Sequence, residues 1–81
     1  MYYYAYILQS EINGHLYKGS TENIERRVIE HNAGMVNYTK RYLPWKLIYF
    51  EIFCTRAEAM RRERFFKSGK GREWLKRKLA L

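Results

Sequence analysis

The sequence predicts an α+β fold, a small three-stranded antiparallel sheet flanked by helices in the order β-β-α-β-α-α. Three observations support this prediction: an apolar, tyrosine-rich first segment, a strong turn dipeptide, and segments whose apolar residues recur at helical spacing. The 81 residues and the 47% hydrophobic composition suffice for one compact core but leave no room for a second. We therefore expect a single domain over residues 1–81.

The first two strands are predicted as a hairpin. Residues 2–8, YYYAYIL, are rich in β-forming residues and apolar on both faces, which is typical of a buried central strand. Asn13-Gly14 favours a turn because both residues tolerate positive φ. The returning strand is then expected over 15–19.

The length of this turn decides which side chains share a face. If Asn13-Gly14 forms a two-residue turn, Ser10 pairs with Tyr17. Because side chains alternate along a strand, Tyr6 then lies on the same face as Tyr17. A turn one residue longer or shorter would reverse that assignment.

A first helix is expected over 22–32, with Thr21 as its N-cap and Gly34 as the residue that ends it. On a helical wheel, Arg27 and His31 share the side of this helix that carries its apolar residues. An inward arginine is unusual. It either packs its stem and extends its head to water, or presents a guanidinium to phosphate. His31 is by pattern a half-buried, hydrogen-bonded histidine.

The second half of the chain contains one strand and two helices. Residues 35–43 are irregular, and a third strand rich in Leu, Ile, Tyr and Phe follows over 45–53. The sequence TRAE at 55–58 is a capping box, so a second helix is expected from there to about residue 68. A third, short and basic helix is expected over 72–79.

Glu63 is the most informative residue of the second helix. Its neighbours on the helical wheel, within about 60°, are Ala59, Met60 and Phe66. A carboxylate in an apolar arc costs several kcal/mol unless it is paired or bound to a metal. Two interpretations stay open: an ion pair with Lys67 or an escape to water, and a metal ligand or general base.

The charge distribution favours a polyanionic partner. Sixteen basic and eight acidic residues give a net charge of +8, which points to nucleic acid first and an anionic membrane surface second. The segment 56–81 carries most of this excess, and the loop 38–42 places tyrosines beside Lys40 and Arg41, as in binders of single strands and junctions. A solvated charged face is the alternative.

The location is expected to be cytoplasmic. The lone Cys54 cannot form an internal disulfide, which fits a reducing compartment. Two histidines and one cysteine cannot complete a structural zinc site. The apolar run 1–8 lacks the features of a signal peptide and is too short to span a bilayer, so we expect no membrane partner.

Taken in order, the motifs resemble the GIY-YIG nuclease superfamily, which includes the catalytic domain of excinuclease C. Tyr4-Ala5-Tyr6 corresponds to the first motif and Tyr17-Lys18-Gly19 to the second, and Arg27 and Glu63 follow. Further segments resemble the small stand-alone bacterial members of the YhbQ-like type: Glu30-His31-Asn32-x-Gly34, Tyr38-Thr39-Lys40, Pro44-Trp45-Lys46-Leu47, Glu58-Ala59-x-x-x-Glu63 and Lys67-Ser68-Gly69-Lys70-Gly71-Arg72. The resemblance covers nearly the whole chain.

This resemblance implies hydrolysis of DNA phosphodiesters with one Mg²⁺ or Mn²⁺. Tyr6 and Tyr17 match the motif tyrosines, one of which would help deprotonate the attacking water. Arg27 matches the arginine that steadies the scissile phosphate, and Glu63 matches the glutamate that holds the metal. His31 matches a histidine that some members carry near the site.

The chain departs from the family pattern at four positions. Tyr4 stands where the first motif has glycine, Lys18 replaces an aliphatic residue, and Ser20 stands where excinuclease C has lysine. A family asparagine after the glutamate has no clear counterpart, since Glu73 or Trp74 stands near its place. We expect an endonuclease-like domain for branched, damaged or single-stranded DNA. The alternatives are a catalytically weak or inactive nucleic-acid-binding module, and a basic adaptor for an acidic protein. The basic residues expected to contact DNA are Lys18, Lys40, Arg41, Lys67, Lys70 and Arg72.

Overall fold

Three antiparallel strands and three α-helices follow one another in the predicted order. The computed structural model describes residues 1–81. The elements are β1 (Tyr3–Ser10), β2 (Leu16–Thr21), α1 (Ile24–Asn32), β3 (Trp45–Phe53), α2 (Arg56–Lys67) and α3 (Gly69–Leu79), with a short 3-10 turn at Lys40–Tyr42. The α+β prediction is therefore confirmed. No helix has the length and apolar character needed to cross a bilayer.

The strand order is β2-β1-β3, so β1 lies at the centre and β2 and β3 form the two open edges. The central position explains why β1 is apolar on both faces. Ala5 and Ile7 pack with Phe66 and Leu75 beneath α2 and α3. On the opposite face, Tyr6 and its neighbours form a second core with Trp45 under α1.

The hairpin turn is four residues long instead of two. The backbone N–H of Ser10 donates to the carbonyl of His15 at 2.9 Å, which closes a turn over 11–14. The Ser10 hydroxyl accepts two backbone N–H groups of the turn and stabilises this longer form. Consequently Leu8, and not Ser10, pairs with Tyr17.

The prediction that Tyr6 and Tyr17 lie on the same face of the sheet remains correct. The register moves by two residues, and an even shift preserves side-chain alternation. Tyr6, Leu8 and Tyr17 therefore share the face that α1 covers.

The helix starts differ from the prediction because different side chains form the caps. Asn23 caps α1 by accepting the N–H of Arg26 at 3.0 Å, while Thr21 extends β2 instead. Ser68 caps α3 and accepts the N–H of Gly71 at 3.1 Å, so this helix begins at Gly69, earlier than expected. The capping box of α2 and the bounds of β3 are as predicted.

Gly71 is expected to be indispensable to the packing of α3 on α2. A Cβ atom at this position would collide with the carbonyl of Phe65 and the backbone of Phe66. We expect Gly71→Ala to lower the free energy of unfolding by about 3 kcal/mol, as overpacking does at its upper end. Gly69→Ala is the matched control, because its Cβ would enter open space. Urea titration of both variants checks this, and equal losses would contradict it.

Candidate functional site

The glycine of the second motif leaves room for the tyrosine of the first. Tyr6 in β1 lies directly opposite Gly19 in β2. A Cβ atom on Gly19 would lie 2.5 Å from the Tyr6 hydroxyl oxygen and 2.6 Å from the ring carbon that carries it. The Tyr6 side chain therefore crosses β2 toward the open edge of the sheet, where only glycine allows this approach.

The Tyr6 hydroxyl belongs to a buried hydrogen-bond network. Its oxygen lies 3.0 Å from Nε2 of His31, and Nδ1 of His31 lies 2.8 Å from Oγ1 of Thr39. The Thr39 hydroxyl also faces the carbonyl of Val36 at 3.4 Å. One assignment of protons satisfies every group: Tyr6 donates to Nε2, Nδ1 donates to Thr39, and Thr39 donates to Val36.

Electrostatics favour the same assignment. Burial lowers the pKa of His31 to about 4, and the charge of Arg27 adds to this effect, so the imidazole is neutral at pH 7. Burial also raises the pKa of Tyr6 to about 12. The Tyr6 phenol therefore stays protonated and donates a hydrogen bond to the neutral His31.

The depressed pKa of His31 makes stability depend on pH. Between its unfolded value of about 6.5 and its native value of about 4, the unfolded chain binds a proton that the native protein does not. Stability therefore falls as pH falls through this window. We expect His31 to contribute a loss of about 2 kcal/mol between about pH 7 and pH 4.5. Urea unfolding of wild type and His31→Asn tests this: the variant should lack that part of the slope, and identical slopes would refute it.

Tyr17 packs beside this network but reaches the surface. Its ring centroid lies 4.8 Å from that of His31 and 6.3 Å from that of Tyr6. Unlike the fully buried Tyr6, it is half-buried and lines a cleft at the open edge of β2 together with Lys18, Lys67 and Arg72. Of the two motif tyrosines, Tyr17 is the one that a bound molecule can touch.

Arg27 projects from α1 toward the same hydroxyl. It lies close enough to Tyr6 to lower the pKa of that phenol, although burial outweighs this effect. Its Nη1 donates to Oε1 of Glu30 at 3.0 Å, and this bond raises the pKa of Arg27. The side chain is 35% exposed, so the stem packs while the head remains accessible. Both interpretations of the inward arginine fit this position.

Glu63 approaches from α2, on the other side of β2. The Ser20 hydroxyl donates to Oε1 at 2.7 Å, and Nζ of Lys67 donates to Oε2 at 2.6 Å. The carboxylate is 22% exposed and lies at the boundary of the apolar arc, because Ala59 is buried while Met60 is exposed. Of the two interpretations of Glu63, the ion pair with Lys67 is the one present in the structure.

The carboxylate of Glu63 is the candidate metal ligand of this site. No group of three or more His, Cys, Asp or Glu side chains converges anywhere in the structure. Each Glu63 oxygen retains a free lone pair beside its one hydrogen bond, and the Ser20 hydroxyl supplies a further oxygen nearby. Mg²⁺ keeps several waters and needs only one or two carboxylates. The residues therefore fit a hydrated divalent ion, provided that the 54% exposed Lys67 moves away.

The predicted DNA-contacting residues fall into two groups and one separate position. Lys18 lies near Arg72 and Lys67, and burial together with these two charges lowers the pKa of Lys18. Lys40 and Arg41 line a different cavity, in the loop before β3. Lys70 is exposed and lines neither of these two clefts.

Sequence reasoning gave no role to two residues of the site. Thr39 is fully buried and fixes the orientation of His31, but it belongs to an irregular segment in which no periodicity indicates burial. Ser20 is a departure from the family pattern, and the structure shows it bound to Glu63. The alternation of β2 could have indicated Ser20, because it lies on the face opposite Tyr17 and toward α2.

The Tyr6 hydroxyl lies near Arg27, and the Tyr17 ring packs beside that of Tyr6. Glu63 lies across β2, so the residues that the GIY-YIG resemblance singled out surround one edge of the sheet. The family model described as "GIY-YIG catalytic domain" matches residues 2–78. The chain therefore belongs to the GIY-YIG family.

Within that family, the chain is similar to proteins named UPF0213. It is 43% identical over 75 residues to UPF0213 protein SH2523 of Staphylococcus haemolyticus, covering 91% of this chain and 90% of the relative. It is 46% identical over 68 residues to UPF0213 protein HQ_3675A of Haloquadratum walsbyi, covering 83% and 75%. The solution NMR structure of UPF0213 protein BH0048 from Bacillus halodurans matches with a TM-score of 0.55 at 35% identity, covering 93% of this chain and 82% of that one.

Proposed function

We propose that the protein hydrolyses DNA phosphodiesters with the help of one Mg²⁺ or Mn²⁺ ion, at the open edge of β2. One observation carries this proposal. Tyr17, Arg27 and Glu63, from three different elements, all lie close enough to the buried phenol of β1 to affect its pKa. The cations Lys18 and Arg72 line the same cleft as Tyr17. A phosphate at this edge would contact cationic groups on one side and a carboxylate that can hold a metal on the other.

Glu63 would hold the metal ion, with the Ser20 hydroxyl beside it. A bound divalent ion offsets charge on the phosphodiester oxygens and lowers the pKa of water. Lys67 must first leave the carboxylate. Because its ammonium would be close to an incoming phosphate, Lys67 can exchange Glu63 for the DNA backbone.

Arg27 would steady the scissile phosphate. A planar guanidinium can donate two parallel hydrogen bonds to phosphate oxygens. Its present partner is Glu30, in a bond that is partly exposed. If Arg27 released the Glu30 carboxylate and bound a phosphate instead, its guanidinium would contact the substrate without a movement of α1.

Tyr17, and not Tyr6, would accept the proton of the attacking water, as a phenolate that a neighbouring cation such as Lys18 or the metal would stabilise. The Tyr6 phenol is buried, has a raised pKa and donates to His31, so it is a poor proton acceptor. Tyr17 lines the cleft where substrate would lie. Tyr6 and His31 then act as positioning residues that hold the Tyr17 ring from behind.

A nucleic-acid-binding module without catalysis is the second candidate. The observation that favours it is the 2.6 Å bond between Lys67 and Glu63, which places a cation of the chain itself where the metal would lie. Such a module would still bind DNA through its basic residues, with an affinity that falls steeply with salt. A basic adaptor for an acidic protein would not prefer DNA.

A cleavage panel separates these candidates. Labelled single strands, flaps, forks and four-way junctions, the substrates of DNA repair among them, are incubated with Mg²⁺, Mn²⁺ or EDTA. The proposal expects products from at least one substrate with a metal and none with EDTA. If the protein bound every substrate in a salt-sensitive way but gave no products with either metal, it would be the binding module. Absence of binding would leave the adaptor.

A further inference from the structure

A groove along the open edge of β2 extends away from the candidate metal site. Two adjoining cavities of about 400 and 440 Å³ form it, and they share Leu16, Lys18, Tyr38 and Arg72. The outer edge of β2 is its floor, α3 is one wall, and the segment before β3 is the other. Leu16 on this floor is only half-buried, so part of the apolar lining of the groove remains open to solvent.

The charges along this groove are of one sign. Its cationic residues are Lys18, Lys67, Arg72 and Lys76, and no Asp or Glu side chain lines either cavity. Burial lowers the pKa of Lys18, and the nearby charges of Arg72 and Lys67 lower it further, so these cations repel one another in the free protein. A polyanion in the groove would relieve this repulsion.

Two exposed tyrosines form part of the wall opposite α3. Tyr38 is 72% exposed and Tyr42 is 37% exposed. The Tyr38 ring leans on Tyr17, with centroids 5.8 Å apart and planes at 45°, so one of its faces remains free. A third cavity of about 460 Å³, lined by Lys40 and Arg41, lies beside the same two tyrosines. Exposed aromatic rings between cations are the usual platform for unpaired bases.

The groove and the candidate metal site share a residue. Lys67 lines the groove and also binds Glu63. From Ser20, which contacts Glu63, β2 runs four residues to Leu16, a length of about 13 Å. A strand lying in the groove would therefore continue directly into the site.

We propose that this groove binds a single DNA strand, with a base stacked on Tyr38 and phosphates on Lys18, Arg72 and Lys76. The proposal rests on the proposed function for the class of ligand. A duplex keeps its bases stacked on one another, so it would use the cations and leave the tyrosines without a role. The combination of exposed rings and cations favours an unpaired strand.

Binding in EDTA tests the groove without any contribution from catalysis. Fluorescence anisotropy is measured with a labelled oligothymidine of about 12 nucleotides and with an abasic strand of the same length. We expect Tyr38→Ala to weaken binding of the oligothymidine about tenfold and to leave abasic binding and the salt slope unchanged. Tyr38→Phe should bind as wild type, because it keeps the ring. Tyr2→Ala, which removes another exposed aromatic residue, is the matched control and should change nothing.

The cations should give the opposite signature. Arg72→Ala combined with Lys76→Ala should reduce the salt slope by about 1.4 for both strands, because each phosphate contact with a single strand contributes about 0.7. The proposal would be overturned if the protein bound the thymidine and abasic strands equally well. It would also be overturned if the Tyr38→Ala variant bound the oligothymidine as tightly as wild type does. If polyglutamate competed for the groove as strongly as oligothymidine does, the proposal would be overturned, and an acidic protein would be the favoured partner.

The two proposals fail separately. A protein that shows this binding pattern but cleaves nothing keeps the groove and contradicts the proposed hydrolysis. A protein that cleaves equally well with Tyr38→Ala, at strand concentrations below saturation, keeps the hydrolysis and contradicts the groove.

Discussion

Glu63→Gln is expected to reduce metal-dependent DNA cleavage to background. The substitution preserves size and the bond from Ser20, but removes the charge that a hard cation requires. The free energy of unfolding should change by less than about 1 kcal/mol, because the lost pair with Lys67 is partly exposed. DNA binding in EDTA should be retained or slightly tighter, since one negative charge has left the surface that faces phosphate.

Glu11→Gln is the matched control for this experiment. Glu11 is exposed in the hairpin turn, and its side chain makes no salt bridge, so the variant gains the same net charge at a distance from the site. It should cleave as wild type. A Glu63→Gln protein that melts lower and still cuts DNA with Mg²⁺ would show that Glu63 is only the structural partner of Lys67.

Tyr17→Phe is expected to slow cleavage by roughly 10²-fold, the typical loss when a proton-transfer group is removed. Stability should change little, because the ring contacts with His31 and Tyr38 remain. Measurement of single-turnover cleavage rates beside urea unfolding separates the two effects. If the Tyr17→Phe variant cleaved at the wild-type rate, the Tyr17 hydroxyl would have only a packing role.

Tyr6→Phe is expected to have the reverse profile. It removes the donor to Nε2 of His31 and leaves a buried acceptor unsatisfied, which costs about 1–3 kcal/mol. Its cleavage rate, measured where the variant is fully folded, should fall less than that of Tyr17→Phe. A larger rate loss for Tyr6→Phe at preserved stability would exchange the roles of the two tyrosines.

Local patterns were sufficient to predict the fold. The two-faced apolar character of β1 identified the central strand, and the capping box Thr55–Glu58 fixed the start of α2. The turn length was wrong because Asn13-Gly14 indicates a turn but not how many residues it spans. That length depends on the Ser10 hydroxyl, which binds two N–H groups of the turn.

The site was harder to predict because it depends on contacts between distant segments. A helical wheel places Glu63 in the apolar arc, but Lys67 and Ser20 decide its actual environment. Likewise, the motif gives two equivalent tyrosines. Only the three-dimensional structure shows that Tyr6 is buried against His31 while Tyr17 reaches the cleft.

Paramagnetic Mn²⁺ reports whether the open edge of β2 holds a metal ion on the single carboxylate of Glu63. Titrated into the isotope-labelled protein without DNA, Mn²⁺ broadens the NMR signals of amides close to the ion. We expect the signals of Ser20 and Glu63 to broaden first. Lys67→Gln should shift this broadening to lower Mn²⁺ concentrations because the carboxylate is free, and Glu63→Gln should abolish it. Broadening centred on other residues, or unchanged in Glu63→Gln, would show that Glu63 does not hold the ion.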